Sequence, residues 1–120
     1  LPTWDELRKE LQNVAQLETN GAHSATLLVT WSVLEGILRR HSWDEHLPIH
    51  RLPTSALIKQ LYSLGELSAT YFDSLLRIMS VRHEAAHGFI PKNTPESDTA
   101  LRKIAAALID EWQPKESSVR

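Results

Sequence analysis

Residues 22–40 read AHSATLLVTWSVLEGILRR, and this stretch decides the fold. Its apolar side chains recur every three or four residues, which is the spacing of one face of an α-helix. The face comprises Ala25, Leu27, Leu28, Trp31, Leu34 and Leu38. Arg39, Arg40 and His41 follow, and cations are favoured at the C-terminal end of a helix dipole. We therefore predict a helix from about Ala22 to Arg40 whose apolar face packs against other helices.

One helix is predicted before this stretch. Thr3 and Glu6 have the spacing of a capping box, in which each side chain bonds the backbone N–H of the other residue. Apolar residues then recur at helical spacing, at Trp4, Leu7, Leu11, Val14 and Leu17. Asn20 and Gly21 supply a stop before the next helix, because both residues tolerate the left-handed backbone of a turn.

A short helix is predicted after an irregular segment. Residues 41–53 hold two prolines, three histidines and a tryptophan, and they show no helical spacing. Thr54 or Ser55 is a suitable N-cap for a helix that runs through Leu64. Gly65 is placed to end that helix.

Two longer helices complete the chain. Ser68 is expected to begin a helix that carries apolar residues as far as Ala86 and that Gly88 ends. Residues 93–95 read Asn-Thr-Pro and suit the start of a last helix, with the proline at its first position. This helix is expected to end before Pro114.

These elements predict an all-α protein, because no segment alternates apolar and polar residues as a half-buried strand does. The expected architecture is an up-and-down four-helix bundle with an additional short helix. The 120 residues fit a single domain over 1–120, with a polar tail at 115–120 that we expect to fray. The first residue is Leu1 and not Met, so we expect a processed chain or a domain excised from a longer protein.

The composition argues against several classes of protein. The formal charge is −2 and the pI is about 6.3, which disfavours a domain that coats a long duplex with basic side chains. The chain has no cysteine, which excludes disulfides, thiolate catalysis and cysteine zinc sites and fits a reducing cytoplasm. No apolar run reaches the length of a membrane span, so no membrane partner is expected.

The most concentrated chemistry lies at the predicted end of the fourth helix, in residues 82–88, Arg-His-Glu-Ala-Ala-His-Gly. From His83 to His87 the letters match H-E-x-x-H, which places two zinc ligands on one helical face with Glu84 as general base. A catalytic zinc needs a third protein ligand. The candidates are Glu96, Asp110 and Glu111. No upstream strand is predicted that could hold a peptide over the metal, so this small zinc metallopeptidase ranks below the interpretation that follows.

From Arg82 the same letters resemble a different pattern. Arg82-His83-x-x-x-His87 is similar to the R-x(4–6)-H motif of the HEPN family of helical nucleases and nucleotide-binding domains. As in that family, the motif stands late in the chain, near the end of a long helix. Residues 76–81 and 88–89 beside it are similar too, and the opening stretch with Glu35 resembles the early helix of the family. The resemblance covers residues from about 4 to 112.

The resemblance implies metal-independent cleavage of RNA, with no cofactor, by attack of a 2′-hydroxyl on the adjacent phosphate. By position in the motif, His87 is the acid–base residue, since imidazole exchanges protons near neutral pH. Arg82 binds the scissile phosphate with its planar, permanently charged fork. His83, Glu35 and Glu84 have supporting roles. The family also pairs its motifs across a dimer, so the resemblance implies a homodimer through the helix that carries Arg82 and His87.

Other interpretations stay open at this point. The resemblance fits a non-catalytic domain that binds RNA or nucleotide phosphate, or that dimerises beside a fused effector domain. It also fits a toxin held by an antitoxin, or a phage-defence protein. In purely structural terms, His87 caps a helix, and Arg82 pairs with Glu35 or Glu84. The loop histidines offer a weaker metal site. Its ligands would be His41, His46 and His50 with Asp44 or Glu45.

Overall fold

The structure is a computed structural model that describes residues 1–17 and 23–115. Within those ranges the chain forms five α-helices and no strand, which confirms the predicted all-α class. The turn predicted at Asn20 and Gly21, and the predicted tail beyond Lys115, lie outside the described residues. No described helix is both long and apolar enough to cross a membrane. The helices are α1 (Trp4–Leu17), α2 (His23–Asp44), α3 (Thr54–Ser63), α4 (Ala69–Ala86) and α5 (Thr94–Trp112).

α2 is the central helix, and it packs against each of the other four. Four predicted core residues of α2 are at most 2% exposed, and they are Leu27, Trp31, Leu34 and Leu38. Val33 and Ile37 are buried as well, so more of the helix surface is covered than one apolar face. Ala25 was predicted on that face and is exposed instead. Each fully buried aliphatic side chain contributes about 1.5–3 kcal/mol, so α2 anchors the core.

α1 begins with the predicted capping box. The Glu6 N–H donates to the Thr3 hydroxyl oxygen at 3.1 Å, and the Thr3 N–H donates to Glu6 Oε1 at 2.9 Å. The bond from the Thr3 backbone N–H, followed by the Thr3 side-chain bond, lowers the pKa of Glu6 below its ordinary value of 4.5. α1 lies close to α2 at Gly36, where an added Cβ would come within 2.7 Å of Leu7.

Contacts between helix ends fix the directions of the helices. The Thr26 hydroxyl donates to Asp98 at 2.7 Å, so α2 and α5 begin together at what we call the upper end. The rings of His41 and Trp112 stack 3.9 Å apart, so the two helices also finish together, at the lower end. α4 begins just after Glu66, which bonds His41, and it therefore runs from the lower end to the upper end.

α2 extends to Asp44, four residues beyond the predicted end at Arg40. His46 has a left-handed backbone with φ of 57°, and this conformation allows the helix to close there. The N–H groups of His46 and Leu47 donate to two carbonyls of the last turn of α2, at 3.1 and 2.9 Å. Those paired bonds form a Schellman cap, whose left-handed position is usually glycine. The prediction was wrong because histidine occupies that position here, as it does more often than most other residues.

The ends of α3 and α4 follow the prediction. Gly65 has φ of 78° and Gly88 has φ of 87°, and each supplies the left-handed residue of a Schellman cap. Ser68 is the N-cap of α4, and its hydroxyl oxygen accepts the Tyr71 N–H at 3.1 Å. The glycines act through their own backbone conformation, and the serine acts through a bond to a backbone N–H three residues away. Because these interactions are local, the sequence alone predicts them.

The starts of α3 and α5 differ in detail from the prediction. Thr54 is the first residue of α3 and does not cap it, because its hydroxyl donates to Glu35 on α2. Asn93 precedes α5 without a side-chain capping bond, and Pro95 takes the second helical position and not the first. Proline is tolerated in either place, because the N–H groups of the first turn have no partner within the helix.

Candidate functional site

The Arg82–His87 motif occupies the last turn of α4, at the upper end of the molecule. Val81 faces the core and is 7% exposed, which fixes the rotation of this turn. Arg82 is then partly buried, and His83, Glu84 and His87 are exposed. The motif therefore lies on the surface, held in place by a packed helix.

Arg82 is held in place without an acidic partner. Its Nε atom is buried and has no hydrogen-bond partner among the residues that the structure describes. No ion pair joins it to Glu35 or Glu84. A guanidinium cation that is partly withdrawn from water and unpaired is unusual, because burial of a charge normally requires a partner. Arg82 is therefore free to bind an external anion.

Glu35 has a different partner from the predicted one. Its partly buried carboxylate accepts the hydroxyl proton of Thr54, and the same hydroxyl oxygen accepts a bond of 3.3 Å from Arg39. These bonds tie α2 to the start of α3. No hydrogen bond or ion pair joins Glu35 to Arg82 or to either histidine of the motif, although all of these residues are described.

The structure brings His83 and His87 together. Their ring centroids lie 4.5 Å apart, with the planes at 63°. His87 caps the helix, and its N–H donates to the carbonyls of His83 and Glu84 at 3.3 and 3.1 Å. Apart from the contact between the two rings, neither imidazole has a partner within residues 1–17 and 23–115. Both rings are open to a ligand from solvent.

Arg82 and His87 are separated within one copy of the chain. α4 stays helical through Ala86, so the unwinding at Gly88 that would swing His87 towards Arg82 does not occur. Residues five apart on a regular helix diverge by about 140°. On this geometry Arg82 and His87 project from the end of α4 in different directions, so one helix does not place both on the same side.

The zinc interpretation of the motif lacks a third ligand. Among the described residues, one group of histidine and carboxylate side chains is close enough to hold a metal, and it lies at the lower end. It joins His41 and Glu45, which the sequence pointed to, with Glu66, which the sequence did not indicate. His46 and His50 are not part of it. His83 and His87 therefore form a pair of possible ligands without the third that catalytic zinc requires.

An apolar surface adjoins the motif directly after Gly88. Phe89 and Ile90 are each 70% exposed, more than any other large apolar side chain in the described residues. These two neighbouring apolar side chains are available for contact with another surface. The sequence marked Phe89 as part of the family resemblance and gave no signal for Ile90, because exposure depends on where the α4–α5 connection lies.

No family model, no curated protein and no solved structure matches this chain. The resemblance to the HEPN family therefore rests on the letters of the motif and on the helical context around it.

Proposed function

We propose that this chain is a HEPN-like domain that cleaves RNA without a metal, as a homodimer in which the upper ends of two α4 helices form the site. The observation that carries the proposal is Arg82, whose partly buried guanidinium has no acidic partner in the described residues. A phosphate is the anion that best matches the planar donors of arginine. Two accessible imidazoles lie on the same turn of helix.

The arrangement of helices supports the finer fold that the proposal requires. α1 begins at the lower end, since the Trp4 indole N–H donates to Asp44 at 2.7 Å. α1, α2, α4 and α5 then alternate in direction along the chain. This alternation is typical of an up-and-down four-helix bundle, with the ten-residue α3 as the additional short helix.

A homodimer resolves the separation of Arg82 and His87. In a two-fold arrangement, the arginine of one copy can lie opposite the histidines of the other, so each phosphate contacts both groups. The exposed pair Phe89 and Ile90 supplies apolar surface beside the motif for this contact. Two copies of Arg82 also concentrate positive charge locally in a chain whose formal charge is −2.

The chemistry proposed for the site is transesterification. His87 takes the proton of the 2′-hydroxyl as its oxygen bonds to phosphorus, and the bond from phosphorus to the 5′-oxygen breaks. An imidazolium, for which His83 is the nearest candidate, returns a proton to the departing oxygen. Arg82 stabilises the charge that grows on the phosphate oxygens. The products are a 2′,3′-cyclic phosphate and a 5′-hydroxyl, and no metal or cofactor takes part.

An RNA cleavage assay in excess EDTA tests this proposal. We expect cleavage by the wild type and a fall of about 10²–10⁴-fold for His87→Ala and for Arg82→Ala. His46→Gly and Arg77→Ala are matched controls, because they remove an exposed histidine at the lower end and an exposed arginine on the same helix. Equal activity of all five proteins would overturn the assignment of the site, and dependence on added zinc would favour the peptidase-type motif.

A mixing experiment tests the dimeric site separately. If each site takes Arg82 from one copy and His87 from the other, mixing the two inactive variants generates mixed dimers with one intact site. We expect activity to return to a measurable fraction of the wild type, and light scattering to give the mass of a dimer. A monomer at all concentrations, with full activity, would contradict this part of the proposal.

RNA binding without cleavage would support the alternative of a non-catalytic binding or dimerisation module. That outcome fits the same free Arg82, which binds phosphate with or without chemistry. An antitoxin or a fused effector domain is the protein partner that either function allows. The absence of cysteine agrees with a reducing cytoplasm as the proposed compartment.

A further inference from the structure

A basic cleft lies at the lower end of the molecule, between the last turns of α2 and the connection to α3. Its volume is about 640 Å³, which is within the range of small-molecule sites. None of the described residues that line it is a carboxylate, in a chain with 15 acidic and 13 basic residues other than histidine. The lining consists of Leu1, Arg39, Arg40, Trp43, His50 and Arg51.

The C-terminal end of α2 forms one wall of this cleft. Because α2 stays helical to Asp44, Trp43 stands one turn after Arg39 and Arg40 and shares a side of the helix with them. The other wall comes from the connection, which is folded onto α2. Arg39 Nη1 donates to the carbonyls of His50 and Leu52 at 2.8 and 2.7 Å. The cleft is therefore formed by the fold itself.

Trp43 provides an aromatic surface in the cleft. The side chain is 52% exposed, whereas Trp4 and Trp31 are buried. His50 meets it edge to face, with ring centroids 5.0 Å apart and planes at 87°, which fixes the orientation of the indole. An oriented and exposed indole is a suitable platform on which a planar base can stack.

The positive charge of the cleft is only partly neutralised. The Nε atom of Arg40 lies 3.2 Å from Asp44 and makes an ion pair without hydrogen-bond geometry. Arg39 has no ion pair with a described carboxylate, and it is linked to Glu35 through the Thr54 hydroxyl. Arg51 is exposed and has no ion pair or hydrogen bond with any described residue.

We propose that this cleft binds a nucleotide, with the base stacked on Trp43 and the phosphate held by Arg51 together with Arg40. The indole of Trp43 matches a planar base. Arg51, together with Arg40, whose ion pair with Asp44 lacks hydrogen-bond geometry, matches the phosphate of the same nucleotide. The cleft is separate from Arg82 and His87. α4 carries the motif away from the lower end over its 18 residues, or about 27 Å.

Calorimetric titration tests the cleft, with Arg82→Ala/His87→Ala as the background so that binding cannot depend on the motif. We expect adenosine 5′-monophosphate to bind, and adenosine and inorganic phosphate to bind at least tenfold more weakly. A 2′-O-methylated pentanucleotide distinguishes the source of the ligand. Tighter binding of the pentanucleotide than of the monophosphate assigns the cleft to an RNA strand, and equal or weaker binding assigns it to a free nucleotide.

Two substitutions place the ligand. We expect Trp43→Ala to weaken binding of the monophosphate by tenfold or more and Arg51→Ala by fivefold or more. Both side chains are exposed, and circular dichroism is expected to show an unchanged helical fold. Arg77→Ala is the matched control, since Arg77 is an exposed arginine on α4. Absence of binding, equal affinity for adenosine, or equal affinities of the control and the Arg51 variant would overturn the proposal. Because the background lacks the motif, such a result leaves the proposed cleavage untouched.

Discussion

Two histidine sites at opposite ends of the molecule, His41 and the pair His83 and His87, differ in their surroundings. At the lower end, His41 is 5% exposed, its ring lies flat on Trp112 at 3.9 Å, and its Nε2 is 2.6 Å from Glu66 Oε1. At the upper end, His83 and His87 are exposed, and their rings meet each other without a hydrogen bond or ion pair to any described residue. One imidazole is enclosed and fully engaged, and the other two are open to solvent.

This difference means that the enclosed histidine contributes to stability, whereas the exposed pair is available for a functional role. His41 joins α2 to the α3–α4 turn and to α5, so three parts of the chain depend on one ring. The upper pair joins nothing beyond its own turn of α4, and its loss would cost the fold little. A histidine that the fold does not need, beside an arginine with no acidic partner among the described residues, is available for a ligand.

The largest effect is expected when the open end is altered. His87→Ala should lower the rate of RNA cleavage by about 10²–10⁴-fold, since it removes the group that we propose to move the proton. The free energy of unfolding should stay within about 0.5 kcal/mol of the wild type, because the side chain is exposed. Initial cleavage rates and urea unfolding of the same preparation measure both quantities. If His87→Ala lowered the free energy of unfolding by more than this, the exposed and the enclosed histidines would not differ in their contribution to stability.

The reverse pattern is expected at the enclosed end. His41→Ala removes a stacked ring and the partner of Glu66, and it should lower the free energy of unfolding by about 2–3 kcal/mol. Its cleavage rate at a temperature where it is folded should remain near that of the wild type. Urea unfolding measures the loss, with His46→Gly as the control for removal of a histidine from the same end. A stability equal to that of the wild type would mean that the stacked contact contributes nothing.

Smaller effects are expected at the three Schellman caps. Gly65→Ala and Gly88→Ala should each cost about 1 kcal/mol, because a side chain disfavours the left-handed backbone. No atom lies within 4 Å of the added Cβ at either position, so the cost is one of backbone conformation. His46→Gly should stabilise the fold by about 0.5–1 kcal/mol for the same reason. Thermal unfolding of the three variants shows whether each substitution raises or lowers the stability. If His46→Gly is less stable than the wild type, the imidazole of His46 contributes contacts of its own.

The smallest effect concerns Glu6, which belongs to neither end site. An NMR titration should give it a pKa below 4.5, because the carboxylate accepts the Thr3 N–H. A lowered pKa means that the charged form stabilises the folded state, so this contribution is present above pH 4.5 and is lost as the pH falls through the lowered pKa. Thr3→Ala, which removes one of the two bonds, should bring the pKa nearer to its ordinary value. A Glu6 pKa at or above 4.5 in the wild type would contradict the bond.

The fold was predictable where a signal acts over a few residues. Thr3 with Glu6, Ser68, Gly65 and Gly88 each mark a helix boundary through a local backbone bond, and the structure places all four boundaries where the sequence indicated. The end of α2 was predicted four residues too early, because His46 occupies the left-handed position of the cap, where glycine is the usual signal.

The candidate site was predictable from the sequence for those residues that are neighbours along the chain. His83 and His87 are four residues apart at the end of α4, so their spacing alone shows that they share a face, and Arg82 directly precedes them. The partners formed through the fold were not predictable. Glu66 bonds His41 across 25 residues, and the cleft at Trp43 depends on a loop that returns to α2. Such contacts depend on packing, which no short motif encodes.

The chemical identity of the RNA fragments tests the central claim most directly. Wild-type protein in EDTA is expected to leave 2′,3′-cyclic phosphate and 5′-hydroxyl ends, detected by mass spectrometry, and His87→Ala is expected to leave the same RNA intact. A substrate with 2′-O-methyl groups should resist cleavage, because the attacking oxygen is blocked. Fragments with 3′-hydroxyl ends, or cleavage that persists at full rate in His87→Ala, would contradict the assignment of Arg82 and His87 as a metal-independent RNA-cleaving site.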